Sequence, residues 1–266
     1  MKPVALVRMK AVLYLHTIRL WRYKWSFLNM ILSEAAWVFL FVLGSLLFVP
    51  KEQLTTVVKG AFWVIVAWSM ISNFSSLVGG WMRFFISIGM VEEHLLRGFS
   101  PFKTLLGRLV TGSTVIISSL LFMAVLVKGA FNVDLLTVDQ IALLIIGMAL
   151  LAIESLSYGF TVAAISMRTS VPGNLLEILN LGVIGLMMIP IHSLPERTRL
   201  IYLCIPYTAP SHLVKIAISS VPPELVREAL ILSTMVCVTM LIFAILAMKL
   251  ANLWIKKNGV KAIGFW

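Results

Sequence analysis

Apolar residues run along this chain in six stretches long enough to cross a bilayer, at about 27–49, 57–81, 105–127, 140–167, 175–191 and 229–250. A spanning helix needs about 20 mainly apolar residues, because lipid offers its backbone no hydrogen-bond partner. Polar or helix-breaking signals close most of the runs: Pro50-Lys51-Glu52, Met82-Arg83, Lys128-Gly129, Arg168-Thr169-Ser170 and Lys256-Lys257. A further apolar stretch, 200–218, carries Pro206, Pro210, His212 and Lys215. Proline breaks a helix interior, so this stretch reads as a re-entrant or interfacial hairpin within the long connection 192–228. Ahead of the first run, Val7, Ala11, Tyr14, Ile18, Trp21 and Trp25 recur at spacings of 3 and 4, with Arg8, Arg19 and Arg22 on another face. That periodicity predicts an amphipathic interfacial helix over 1–26.

The pattern thus predicts an all-α integral membrane protein forming one domain, 1–266. It has six transmembrane helices, an N-terminal amphipathic interfacial helix and short re-entrant helices between spans five and six. Composition points the same way. The chain is 60% hydrophobic and 12% charged, where a soluble domain is near half and a quarter. A soluble enzyme, a disordered chain and a fibrous protein are excluded. The net charge of +11 is read as topology rather than as nucleic-acid binding. With six spans, one face holds Lys2, Arg8, Lys10, Arg19, Arg22, Lys24, Arg83, Arg97, Lys103, Arg108, Arg168, Lys249, Lys256, Lys257 and Lys261. Those are 15 of the 22 basic residues. The positive-inside rule puts both termini in the cytoplasm of a multi-pass cell-membrane protein, and a seventh span would send the basic tail outside. No signal peptide is expected, since the first apolar run follows a basic lead without a small-residue cleavage site.

The connection after span two, 89–101, combines Glu92 and Glu93 with Arg97 around a helix-capable core and is stopped by Gly98 and Ser100-Pro101. Acidic residues at the start and a basic residue at the end suit a helix dipole. A short cytoplasmic helix of this kind is suited to a groove on a partner protein, and an ordinary solvated loop is the plainer reading.

At these residues the chain resembles the permease subunit of type-2 ABC exporters. Glu93-His94-Leu95-Leu96-Arg97-Gly98-Phe99-Ser100-Pro101, followed by Leu105-Leu106-Gly107-Arg108-Leu109, is similar to that family's coupling-helix stretch, although His94-Leu95 stands where the family often has Gly-Thr. Asn174, Asn180, Pro190, Leu194-Pro195, Pro206 and Pro210 extend the resemblance into the second half. It implies an export path formed with a second copy of the chain or a related permease. It also implies a cytoplasmic ATP-binding subunit that carries ATP and Mg, and a lipid-linked, glycan or drug-like substrate. Glu92, Glu93, Leu95, Leu96, Arg97, Phe99, Ser100 and Pro101 would then couple to the ATPase. The chain contains no G-x-x-x-x-G-K-[ST] phosphate loop, so ATP hydrolysis is expected on another polypeptide and no cofactor on this one.

Ionisable residues inside a membrane are functional candidates by default. Glu154 lies near the middle of the fourth run, and Ser72 or Asn73 of the second is a candidate partner; Glu34 lies two turns into the first and Glu177 opens the fifth. Glu154, Ser72, Asn73 and Glu34 are candidate lining of a translocation path, against a plainer role for Glu154 as an interhelical hydrogen bond. The small residues Ser75, Ser76, Gly79, Gly80, Gly182 and Gly185 read as helix-packing or dimerisation positions. A membrane enzyme is disfavoured: the two aspartates, Asp134 and Asp139, share one outer loop, the four histidines are scattered, and Cys204 and Cys237 form no framework. A secondary transporter would show repeats and more buried charge. It remains the alternative, together with a non-catalytic structural subunit contacting only lipids and protein.

Overall fold

A computed structural model describes residues 4–48, 54–169, 173–218 and 221–259. Among them every regular element is helical. The order is α1 (Val4–Arg22), α2 (Lys24–Phe48), α3 (Leu54–Ser75), α4 (Trp81–Ser87), α5 (Met90–Leu96), α6 (Pro101–Leu106), α7 (Arg108–Phe131), α8 (Ile141–Ser166), α9 (Gly173–Met188), α10 (Glu196–Leu203), α11 (Thr208–Ala217) and α12 (Val226–Asn258).

Among the described residues, four helical stretches are long and apolar enough to cross a membrane: Thr55–Ser87, Pro101–Ala130, Ile141–Ser166 and Val226–Asn258. The first runs six residues past the expected end of span two. A π-helical turn, Ser76–Gly80, joins α3 to α4, and the buried Met82 and Phe85 carry the apolar face onward. Gly89, at φ 69°, supplies the left-handed residue that ends it. The second begins earlier than expected, because Pro101 sits in the first turn of α6 where its missing N–H costs nothing. Of the other two expected spans, α2 has 25 residues, whereas α9 has 16, roughly 24 Å at 1.5 Å per residue.

The helix α8 is the centre of the bundle, packing against α3, the π turn, α11 and α12. Glycines set these approaches. A Cβ added at Gly159 would stand 2.9 Å from the Phe74 carbonyl oxygen and 3.1 Å from the Val78 Cβ. Gly79 reciprocates by lying against Val162 and the Gly159 carbonyl, and Gly147 admits Val214 and the Pro210 carbonyl of α11. Close backbone approach through small residues is how helices gain contact where lipid removes the hydrophobic drive. Gly79 is therefore a packing position, as its residue type suggests. At Gly182 and Gly185 on α9, an added Cβ would meet nothing within 4 Å among the described residues.

The connection 192–228 folds as a 3₁₀ turn, Ile191–Ser193, then α10 and α11. All ten residues of α11 are buried. Pro210 is accommodated because it falls in the first turn of α11, whose N–H groups have no partner inside the helix.

These contacts predict an asymmetry between glycines. Gly159→Val overfills the α3–α8 crossing and should destabilise by about 1–3 kcal/mol, read by a fluorescence-detected thermal scan of the detergent-solubilised chain. Gly182→Ala should leave the melting temperature unchanged in the same scan.

Candidate functional site

Two groups of side chains stand out, one beyond the end of α4 and one around the middle of α8. The first is the segment after α4. Its helix α5 starts at Gly89 in the left-handed region, carries Glu92 and Glu93 in its first turn and stops at Arg97, after which Gly98 is again left-handed at φ 65°. Glu93 and Arg97 pair across one turn at 2.5 Å with both side chains exposed. That i,i+4 pair adds about 0.3–0.5 kcal/mol to the helix. Val91 is fully buried and Leu95 packs beside it on the inner core, whereas Leu96 is 88% exposed. Ser100 is extended, and Pro101 is buried at the start of α6.

His94 holds this segment to the bundle. Its Nδ1 lies 2.5 Å from the Met90 carbonyl, which can only accept, so Nδ1 carries the proton. Nε2 then accepts from the Thr104 hydroxyl of α6 at 2.9 Å. The ring also stacks between Phe85 and Phe99, each with its centroid 5.9 Å away. In the sequence His94 stands out only as a departure from a family pattern. A histidine one turn from a carbonyl and ten residues from a threonine gives no linear signal of this contact. Next to it, α1, Glu93 and Arg97 border an open groove of about 500 Å³, with Met90, His94 and Phe99 on its walls.

The helix α1 lies against α7. His16 and Val12 meet the chain at Gly107, where a Cβ would overlap the His16 ring. Of the predicted stripe, Val7, Ala11, Tyr14, Ile18 and Trp21 are exposed on α1, whereas the expected helix over 1–26 breaks at Tyr23 and leaves the exposed Trp25 on α2. Trp21 is 78% and Trp25 74% exposed. On α1 the His16 imidazole is driven down to about 4 by burial, with Arg108 and Arg19 opposing its protonation further.

The second group surrounds Glu154, which is 0% exposed on α8. Its Oε2 accepts from the backbone N–H of Tyr207 at 2.6 Å. Tyr207 is the left-handed residue, φ 72°, that opens α11. Proximity in the bundle could not be read from sequence, because the partner is a backbone group 53 residues away. On the second run, Asn73 donates to Ser69 at 3.2 Å. Glu154 Oε1 and the buried hydroxyls of Tyr158, Tyr207 and Ser233 have no hydrogen-bond partner among the described residues. Ser72 is half-buried, and its carbonyl accepts from the Ser75 hydroxyl. The side chains of Glu34 and Glu177 lie outside the described residues.

The segment around α10 and α11 is tied down by its own polar contacts. Arg199 pairs with Glu224 at 3.4 Å and donates to the Leu194 and His192 carbonyls. His212 Nε2 meets the Glu224 carbonyl at 2.9 Å, and Lys215 Nζ donates to the Met187 carbonyl at the end of α9. Lys128 in the last turn of α7 donates at 3.0 Å to Asp134 of the following loop and holds its carboxyl below the usual carboxylate range. Among the described residues no three His, Cys, Asp or Glu side chains gather as metal ligands.

Two outcomes follow. Glu154→Gln keeps an oxygen for the Tyr207 amide and should melt close to the unsubstituted chain. Glu154→Leu strands that N–H and should cost about 1–3 kcal/mol in the same denaturation assay. The second concerns His16. Its folded pKa lies below the unfolded 6.5, so the unfolded chain binds more protons between those values. Stability should therefore fall as pH drops from 6.5 toward about 4. In thermal melts at pH 7 and pH 5, His16→Asn should show the smaller drop. No family model, curated protein or solved structure matches the chain.

Proposed function

We propose that the chain is the transmembrane subunit of an ATP-driven exporter of the type-2 ABC kind, working as a dimer with a separate cytoplasmic ATPase. In this reading α2 and α9 complete a set of six spans with the four long apolar stretches. Both termini and α5 lie in the cytoplasm, on the face that gathers 15 of the 22 basic residues. The segment α10–α11 is the re-entrant element of the opposite leaflet. The membrane is the cell membrane, and the substrate is a lipid-linked, glycan or drug-like amphiphile.

The observation that carries the reading is the build of α5. It is a seven-residue helix with a left-handed glycine at its start and another just past its end. His94 latches it to α6, and its outer side presents Glu93, Leu96 and Arg97. A loop that only had to join two spans would need neither the latch nor the paired charges. A lever that takes up motion from a partner needs both: a rigid attachment to two spans and a polar face with an exposed apolar anchor. The open face of α9 around Gly182 and Gly185 suits the second permease copy. Glu154, with its unpartnered Oε1 among buried hydroxyls, is the candidate lining of the path.

The test starts from co-purification with a candidate ATPase subunit and its membrane-stimulated hydrolysis. Glu93→Arg and Arg97→Glu should each lower assembly and stimulated hydrolysis at least tenfold. The double exchange restores the helix pair but reverses the charges offered to the partner, and should remain as low. Recovery by the double exchange would mean that only the helix mattered, and full activity of both single variants would end the assignment. Glu154→Gln should reduce transport while leaving assembly intact.

A further inference from the structure

Trp81 opens α4 at the level where α1 crosses the bundle, and two arginines share its indole. Arg108, the first residue of α7, places its guanidinium carbon 3.1 Å from the ring centroid, and Arg19 of α1 places its own at 5.1 Å. Arg19 also lies 5.9 Å from the Tyr23 ring. Arg108 is only 4% exposed, and its Nε and Nη2 are buried without a hydrogen-bond partner. Neither arginine has an ion pair among the described residues. Glu93 is taken by Arg97, and the other two pairs lie elsewhere, Lys128 with Asp134 and Arg199 with Glu224. The third titratable group here is His16, whose ring sits over Gly107. Burial first, and then the two arginines, disfavour its protonation.

Two like charges around one ring, one of them buried with donors unmatched, form an arrangement that an apolar or neutral neighbour does not stabilise. Cation–π contact offsets part of the desolvation of a guanidinium but leaves its N–H donors unused. What completes such a pair is an anion with several acceptor oxygens, for which arginine forks are the natural partner. The surroundings say where that anion comes from. Next to the arginines α1 turns Tyr14 and Trp21 outward, Trp25 at the start of α2 is exposed beside them, and Lys24 lies over both tryptophan rings at 5.4 and 5.9 Å. Aromatic side chains with neighbouring cations are the residues of a membrane–water interface, where headgroup phosphates lie.

We propose that Arg19 and Arg108, set around Trp81, bind the headgroup phosphate of an anionic membrane phospholipid at the junction of α1, α4 and α7. The bound lipid would brace the amphipathic helix against the bundle. This site does not depend on the transport reading, and its failure would leave that reading untouched.

The experiment uses the full chain in nanodiscs of phosphatidylcholine containing phosphatidylglycerol, released for native mass spectrometry that counts retained phosphatidylglycerol. The unsubstituted chain should keep at least one such lipid that phosphatidylcholine does not displace. Arg19→Gln and Arg108→Gln should each lower its retention about tenfold, while Arg108→Lys, which keeps charge but loses the fork, should fall between. Should Arg108→Gln fail to accumulate, Arg19→Gln on the half-buried side carries the comparison alone. A second arm adds millimolar inorganic phosphate or glycerol 3-phosphate. If either displaces the lipid or binds with equal effect in its absence, the ligand is a soluble phosphate and the lipid assignment is overturned. Unchanged retention in a folded Arg19→Gln variant overturns the site itself.

Discussion

The bundle is organised around a fully buried acidic side chain, Glu154. Glu154 sits at the centre of α8 with no exposure, and its Oε2 meets the backbone N–H of Tyr207. Burying an acidic side chain is costly unless it is hydrogen-bonded, and an unpartnered backbone N–H in the same surroundings is costly too. Each group therefore needs the other. The consequence is positional: the start of α11 is pinned at the depth of Glu154, and Gly147 lets the rest of α11 lie close along α8. Both faces of that contact are then committed, because α12 and α3 pack on the same central helix.

Around this anchor the two ends of the molecule are built by different physics. The α10–α11 end is held by polar ties to backbone carbonyls, from Arg199, His212 and Lys215. Such ties satisfy the chain reversals that short helices create, where several carbonyls and amides have no partner within a helix. The α5 end relies on aromatic and cationic stacking: His94 between Phe85 and Phe99, and two arginines around Trp81. These contacts are directional but compact, and they leave an exposed polar face. That difference separates a segment packed into the bundle from one with a face left open.

Some elements are legible in the chain and others are not, for identifiable reasons. The four long apolar stretches, the helix α1 with its aromatic stripe, and α5 between Gly89 and Gly98 all follow from local signals. Those signals are run length, a 3.6-residue period and glycine at a positive φ. Arg83 reads as the end of the second stretch because a single arginine looks like a boundary, yet its neighbours Met82 and Phe85 remain buried and the helix continues. Glu154 reads as costly from its position alone, and polar side chains are its natural expected partners; the backbone amide of Tyr207 that it accepts from carries no such signal. Trp81 and Arg108 carry no site signal along the chain, since their meaning lies in what stands opposite them.

By itself the sequence determined that this is a helical chain with stretches long and apolar enough to cross a membrane. It also determined which stretches carry its charge, since hydropathy, helical period and glycine or proline stops act over a few residues. Only the tertiary structure decided which groups meet: Glu154 with Tyr207 across 53 positions, His94 with Thr104, and Arg19 with Arg108 around Trp81. The reason is that a buried polar group is satisfied by whatever donor or acceptor the packing brings within about 3 Å. That choice is made by helix crossings at Gly147, Gly159 and Gly107, not by neighbours along the chain.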